Sequence, residues 1–357
     1  MKKSTIAVLL LMLEVFAMEI NAAEVNDNRD PRFSPDGKFL IFDRCSPDYP
    51  DWCRIHVYNL ETGMLGYYLP PQGQAWTQAY FSDARDKVVF VTMPAGEHKR
   101  DIFSQRNEIF PKAQIAIMNL DGSNMRVVTN TVGYKGMPAF SHSGKQVIFA
   151  QAEQMRDSGK TMAARWDLWE LDLETGALGL FAGHFKFYQL GLSTYFPDDQ
   201  RVLLNGGTPM SELEGPPETF SSRLTEYNRR YKNSAVFVAR RGSHELGSPL
   251  FTNFSYAREA CMDSQENIYF IATGAKEGTR FRRSGRDGRQ ISWSPPSLGS
   301  NGGTFMGTAI AHDGLYLVMS VAYGDISDKN IKLMLLNTTS GSWRDIDFPH
   351  QAKQINR

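Results

Sequence analysis

Few groups in this 357-residue chain have the type and spacing for chemistry. Cys45 and Cys53 lie close together in sequence. In an oxidising compartment they suit a disulfide closing one short loop, worth roughly 2–3 kcal/mol. The seven histidines occur singly, and His244-Glu245 lacks the second histidine of a zincin helix. No G-x-S-x-G, P-loop, G-x-G-x-x-G or C-x-x-C pattern occurs, which disfavours a nucleophile elbow, a nucleotide cradle and a redox dithiol. What remains is a mixed-charge set, Asp43, Arg44, His98, Tyr134, Arg165, Asp167 and His184, and an arginine run, Arg280, Arg282, Arg283, Arg286 and Arg289. Mixed charge around a concave mouth suits a peptide or glycan. The same groups could supply acid–base chemistry, and guanidinium density suits carboxylates or phosphates. A metal held by His98, His184 and a carboxylate is a lesser alternative. The expectation is no resident metal and no cofactor.

These groups must be held by something, and a repeat supplies it. FSPDGKFLIF (Phe33–Phe42), FSDARDKVVF (Phe81–Phe90), FSHSGKQVIF (Phe140–Phe149), FPDDQRVLLN (Phe196–Asn205), CMDSQENIYF (Cys261–Phe270) and IAHDGLYLVM (Ile310–Met319) share an apolar start, a polar turn and an apolar strand. Asp, Asn, Ser and Gly in the turns accept tight backbone reversal, so each unit reads as a hairpin. Cys261 falls on the apolar position of this alignment and reads as a buried small hydrophobe. Alternating segments ending in Thr-Gly, Asp-Gly or Ser-Gly follow, such as IHVYNLETG and LWELDLETG. In the fifth unit, Gly278–Arg283 reads as strand three and Arg289–Ser294 as strand four. Six four-stranded antiparallel units predict an all-β, six-bladed β-propeller. The expected blades are about 31–70, 75–130, 133–182, 185–252, 255–295 and 302–348, within a domain 24–357. The chain is expected to end its fold on strand four of the last blade.

FSPDGKFLIF, FSHSGKQVIF and WDLWELDLETG resemble the repeats of TolB-like six-bladed propellers, relatives of the WD-repeat group. The resemblance covers roughly residues 30–348. It implies a periplasmic or secreted setting and a binding role in the cell envelope. The family's namesake carries an α/β domain ahead of its propeller, and none is expected here. Similar propellers precede the hydrolase domain of prolyl-oligopeptidase-like enzymes, and no such domain is expected here.

In such blades the turns joining strands 1–2 and 3–4 lie on one face. The 2–3 loops and the blade links lie on the other. The long segments Asp43–Cys53, Val91–Lys112, Gln151–Arg165 and Gly206–Asn233 all fall on that second face, where the mixed-charge set is expected as exposed rim charge. Phe220, Leu224, Tyr227 and Tyr231 are spaced for one helical stripe over residues 218–231. Residues 1–23, with Lys2, Lys3 and a short apolar run from Ile6, read as a signal peptide directing the chain to the periplasm or outside. No later stretch is apolar enough to span a membrane. Formal net charge is zero, with 39 basic and 39 acidic residues, which argues against holding nucleic acid. The expected function is a non-catalytic periplasmic scaffold for an envelope protein, a peptide or an anionic polysaccharide. The alternative is a saccharide- or peptide-processing lyase or hydrolase at the channel mouth.

Overall fold

The computed structural model describes residues 27–46, 49, 51–96, 106–157, 160–187, 189–207, 234–254, 256–274, 278–295, 303–323, 331–349 and 351–355. The signal-peptide segment, His98 and the proposed 218–231 helix lie outside them. The strands fall into successive antiparallel meanders. The first holds β1 (Asp27–Phe33), β2 (Phe39–Cys45), β3 (Cys53–Asn59) and β4 (Leu65–Tyr68). The second holds β5 (Gln74–Phe81), β6 (Lys87–Pro94), β7 (Gln114–Asn119) and β8 (Arg126–Val127), with a helical turn α1 (Arg106–Ile109) between β6 and β7. The third holds β9 (Tyr134–Phe140), β10 (Gln146–Asp157), β11 (Lys160–Asp172) and β12 (Leu178–Leu180). The fourth has three strands among the described residues, β13 (Leu190–Tyr195), β14 (Arg201–Gly206) and β15 (Ala235–Arg240). The fifth holds β16 (Tyr256–Met262), β17 (Ile268–Gly274), β18 (Gly278–Ser284) and β19 (Gln290–Trp293), and the last β20 (Gly303–Ile310), β21 (Tyr316–Tyr323), β22 (Ile331–Asn337) and β23 (Trp343–Asp345).

The first hairpin of each meander shows why the sequence unit folds as it does. Ser34 N–H donates to the Phe39 carbonyl at 2.9 Å, and Gly37, at φ +71°, returns its N–H to Ser34. Ser82 with Lys87 and Ser141 with Gln146 repeat the pattern. In the fourth meander the equivalent bond starts at Phe196, and in the fifth at Asp263. Tyr195 and Met262 are therefore the counterparts of Phe33, one residue away from the positions that sequence alignment selected. The six aligned positions are nevertheless all buried, from 3% exposed at Phe81 to 9% at Phe33.

Apolar clusters fill the spaces between meanders. Ile41, Trp76 and Phe90 pack the first against the second, and Val91, Ile115, Val147 and Phe149 the second against the third. Ile148, Phe187, Leu204 and Phe237 join third to fourth, and Leu203, Phe254 and Phe270 fourth to fifth. Ile271, Phe281, Met319 and Leu336 join fifth to sixth, and Phe33, Phe42, Val318 and Leu333 the sixth back to the first. Each fully buried side chain of this size contributes about 1.5–3 kcal/mol. Their first strands lie side by side in the same cyclic order, β20 returning to β1.

Among the described residues, five of the six first strands carry a bulge where one residue turns left-handed: Asp30, Gln78, Met137, Glu259 and Gly307, with φ between 48° and 55°. For the four non-glycines this costs roughly 1–2 kcal/mol each. The cost is offset from the neighbouring meander. The Gln78 N–H donates to Asp43 Oδ1 at 2.7 Å, Met137 N–H to Gln78 Oε1 at 2.8 Å, and Gly307 N–H to Glu259 Oε2 at 3.0 Å. Asn205 accepts from Ala260, the residue after the fifth bulge, at 2.9 Å.

Three expectations are corrected. Gln151–Arg165 is not a loop, because β10 and β11 pair as far as Asp157 and Lys160. The fourth sheet lacks a fourth strand among the described residues. The fold does not end on β23. Phe348 stacks on Phe42 at 4.8 Å, and β24 (Lys353–Gln354) pairs parallel with Gly66 and Tyr67 on the outer edge of β4. Gly66 permits this approach, since a Cβ there would stand 3.1 Å from Ile355 Cγ1. Apolar Phe348 and Ile355 thus find partners on the first meander, which draws the segment across.

Candidate functional site

The third meander gathers most of the expected site. Tyr134 opens β9, Arg165, Trp166 and Asp167 lie within β11, and His184 follows β12. Asp167 is buried, yet both its oxygens are used: Oδ2 is 3.0 Å from Nδ1 of exposed His184, and Oδ1 accepts the Lys186 N–H at 2.8 Å. Lys186 has φ +51°, so Asp167 fixes the link while orienting the imidazole. Trp166 exchanges two 2.8 Å backbone bonds with Phe187 and sets its half-buried indole edge-on to buried Tyr134, 6.4 Å between centroids. Arg165, also at positive φ, reaches Glu153 at 3.4 Å. The result is an exposed imidazole steadied by a buried carboxylate, on a strand that also carries Trp166 and Arg165. It can exchange hydrogen bonds with a ligand, and an imidazole so held can also move a proton.

Asp43 and Arg44 belong elsewhere, and the expectation of exposed rim charge is corrected for both. Asp43 is 2% exposed and caps the Gln78 bulge. Burial and the nearby Asp30 hold its carboxyl well above the usual range, against the pull of Arg32 and Arg29. Glu259 is likewise raised by burial. Arg44 is 7% exposed, donates from Nε to Asn28 Oδ1 at 3.0 Å and lies over the Phe348 ring at 5.0 Å. Its alkyl stem and guanidinium have become core material because the C-terminal segment folds over them.

Behind Arg44 lies an aromatic ladder that sequence reading missed. Phe42, His56 and Tyr67 are cross-strand partners on β2, β3 and β4, with ring centroids 5.7 Å apart at each step. Burial, with Arg44 and Arg54 alongside, pulls His56 down to about 3. Lys135, also missed, is 5% exposed, with Nζ near the carbonyls of Ala113 at 3.3 Å, Gly133 at 3.4 Å and Thr131. Burial lowers it to about 8. Its place on β9 at a loop base gives no sequence signal, since the three carbonyls come from backbone.

The sulfurs of Cys45 and Cys53 are joined across the β2–β3 pair. Cys261 is buried, near Thr308, and burial pushes its thiol up to about 12. Iodoacetamide should therefore leave Cys261 unmodified in native protein and label it fully in urea. Native labelling read by mass spectrometry would contradict this placement. Among the described residues no three His, Cys, Asp or Glu side chains are grouped to hold a metal ion, and no helix is long and apolar enough to cross a membrane.

No family model and no curated protein matches the chain. Solved structures do. TolB from Acinetobacter baumannii superposes with a TM-score of 0.61 at 12% identity, over 89% of this chain. The chain spans 65% of that protein's length. An oligogalacturonate lyase in complex with manganese gives 0.53 at 13% identity, covering 90% of this chain and 77% of the lyase. A nidogen/laminin complex gives 0.53 at 9%, covering 83% and 90%. These likenesses establish a nearly all-β fold of the TolB-like propeller type. They include a lyase as well as a protein complex, so the fold itself favours neither function.

Proposed function

We propose that the chain is an exported six-bladed propeller, with blades bounded as the repeat suggests, working in the periplasm as a non-catalytic scaffold. Its ligand is an envelope protein or a peptide of that compartment, held at the long-loop rim. The cyclic order of the six inter-meander cores supports the blade count. The observation that carries the binding site is the Asp167–His184 pair beside Trp166 and Arg165. The same short stretch of β11 and its link carry an indole, a guanidinium and an imidazole, residue types typical of a recognition hot spot. An extended peptide would lay an aromatic or aliphatic side chain on Trp166 and carbonyl or carboxylate groups toward Arg165 and His184.

A second reading has one observation in its favour. His184 with Nδ1 on a buried carboxylate is also how a general base is held, so a lyase or hydrolase acting on saccharide or peptide at this mouth is the alternative. One experiment separates the readings. Arg165→Glu and His184→Ala are compared with Lys38→Glu and Lys145→Glu, exposed residues of the first hairpin turns. Pull-down from envelope extract should lose the captured partner at least about fivefold for the rim pair and keep it for the controls, with melts unchanged for Arg165→Glu and the controls because exposed pairs contribute little, and lowered for His184→Ala, which takes the imidazole from buried Asp167. Equal loss at both faces overturns the rim assignment. Turnover of the captured ligand that disappears in His184→Ala transfers the case to the enzyme.

A further inference from the structure

We infer that the outer strip formed by β19 and the start of β23 is a separate binding site for an acidic polysaccharide. The argument begins with strand period. In the β18–β19 hairpin Phe281 faces Trp293 and Arg283 faces Ile291, so these four side chains share one side. By the same alternation Arg289 lies on that side too. Arg280 and Arg282 point the other way, and Arg282 lies over Phe254 of the preceding meander. The arginine run in the sequence is thus split in two by the pleat, and Arg283 and Arg289 are the pair that share a face with tryptophan.

The aromatic part is rigid. Trp293 is half-buried, parallel to buried Tyr269 behind it at 6.3 Å and 10°. On its other flank the turn at Gly341, φ +73°, comes so close that a Cβ there would stand 3.3 Å from Trp293 Cδ1. Trp343 packs edge-on to Phe281 at 5.0 Å, and its indole N–H is already engaged by the Ser294 carbonyl at 2.9 Å. Both indoles are therefore held in place with part of each exposed, and neither needs to be ordered by a ligand.

Charge selects the ligand. Residues 278–293 contain five arginines and one carboxylate, Asp287. Arg289 and Ile291 are exposed. Arg283 is half-buried on the same side of the hairpin as Trp293 and Ile291. Fixed indole surface accepts the C–H face of a pyranose ring, and a guanidinium forks a uronate carboxylate. β19 is four residues long, roughly 13 Å. That length accommodates a short run of sugar units, so a polymer that repeats its carboxylate engages both arginines at once. Ile291 is the one exposed large hydrophobic of the described β18–β19 hairpin, little apolar surface for a protein face. The strip lies apart from the His184 rim, so its test is independent of the one above.

The test uses the mature full chain, tryptophan fluorescence and calorimetry. The probes are alginate oligomers, neutral dextran of matching length and poly-L-glutamate. Alginate should bind and alter the tryptophan emission, dextran should not bind, and poly-L-glutamate should bind at least about tenfold more weakly. Arg283→Gln with Arg289→Gln should weaken alginate at least about tenfold with an unchanged melt, while Lys38→Gln with Lys145→Gln changes nothing. Trp293→Ala should do the same as the arginine pair; if it unfolds, the arginine pair decides. Absent alginate binding, equal binding of poly-L-glutamate, or full affinity in the arginine variant each overturns the proposal.

Discussion

Asp43→Ala should lower the unfolding free energy by about 2–3 kcal/mol, while Asp43→Asn should cost less than about 1 kcal/mol. The alanine leaves the left-handed Gln78 N–H buried without its acceptor, and asparagine keeps an oxygen in place. The pH dependence has a definite sign. Burial and Asp30 raise the Asp43 carboxyl in the folded state, so the folded protein binds this proton more readily than the unfolded chain. Ionised Asp43 therefore costs stability as pH rises above the unfolded value near 4. A neutral amide in its place has no such cost, and the stability of Asp43→Asn relative to wild type should grow with pH. Arg29 and Arg32 temper the effect, and neither is altered by the substitution. Urea unfolding at roughly pH 5 and pH 8 measures it. Equal losses for alanine and asparagine, or a gap that does not change with pH, would remove Asp43 from its capping role.

Acid should unfold the wild type through His56. Its imidazole is held near 3 in the folded protein against 6.5 for the free group, so the unfolded chain takes up the proton first. Stability is full above about 6.5 and falls as pH drops toward 3, by on the order of 4 kcal/mol at the lower limit. The cause is named by geometry: the ring lies between Phe42 and Tyr67, with Arg44 and Arg54 close enough to repel a second cation. Burial is the larger effect. His56→Phe keeps the ladder stacked and has nothing to protonate. Its acid limb should be shallower than wild type between pH 6.5 and 3, while Asp43 and Glu259, whose raised carboxyls act in the opposite sense, contribute equally to both proteins. Parallel acid limbs would show that His56 is not the sensitive group.

The hairpins were legible because their cause is local. Gly37 and Gly144 at positive φ and the Ser34 and Ser141 bonds lie within one ten-residue unit. The register of the fourth and fifth units was harder. Tyr195-Phe196 offers two adjacent aromatics, and the fifth turn is one residue shorter, so alignment by apolar start chose Phe196 and Cys261. Most of the bulges were not legible: Asp30 and Gly307 tolerate a left-handed backbone, but Gln78, Met137 and Glu259 are not residues that advertise one. Asp43 and Arg44 looked like rim charge for a related reason. What buries them comes from Gln78 in the next meander and Phe348 at the far end of the chain. Asp167 and His184 were found as charged residues at strand ends, but their pairing, and Trp166 between Tyr134 and Phe187, depended on how the link after β12 returns to β11.

The caps that cross from one meander to the next have a consequence for how such a chain can change its copy number. Unequal recombination readily adds or deletes a whole repeat, and a linear array tolerates it because every junction is alike. Here the junctions differ. Asp43 meets the Gln78 amide, Gln78 the Met137 amide, Asn205 the Ala260 amide and Glu259 the Gly307 amide. A duplicated second unit would bring Gln78 against a second copy of itself, and a deleted one would leave the Asp43 carboxylate facing Met137. The acceptor comes from a second strand at Asp43 and Asn205 and from a first strand at Gln78 and Glu259, so adding or removing a unit would change which side chain reaches which amide, while the apolar packing between meanders could be supplied by any repeat.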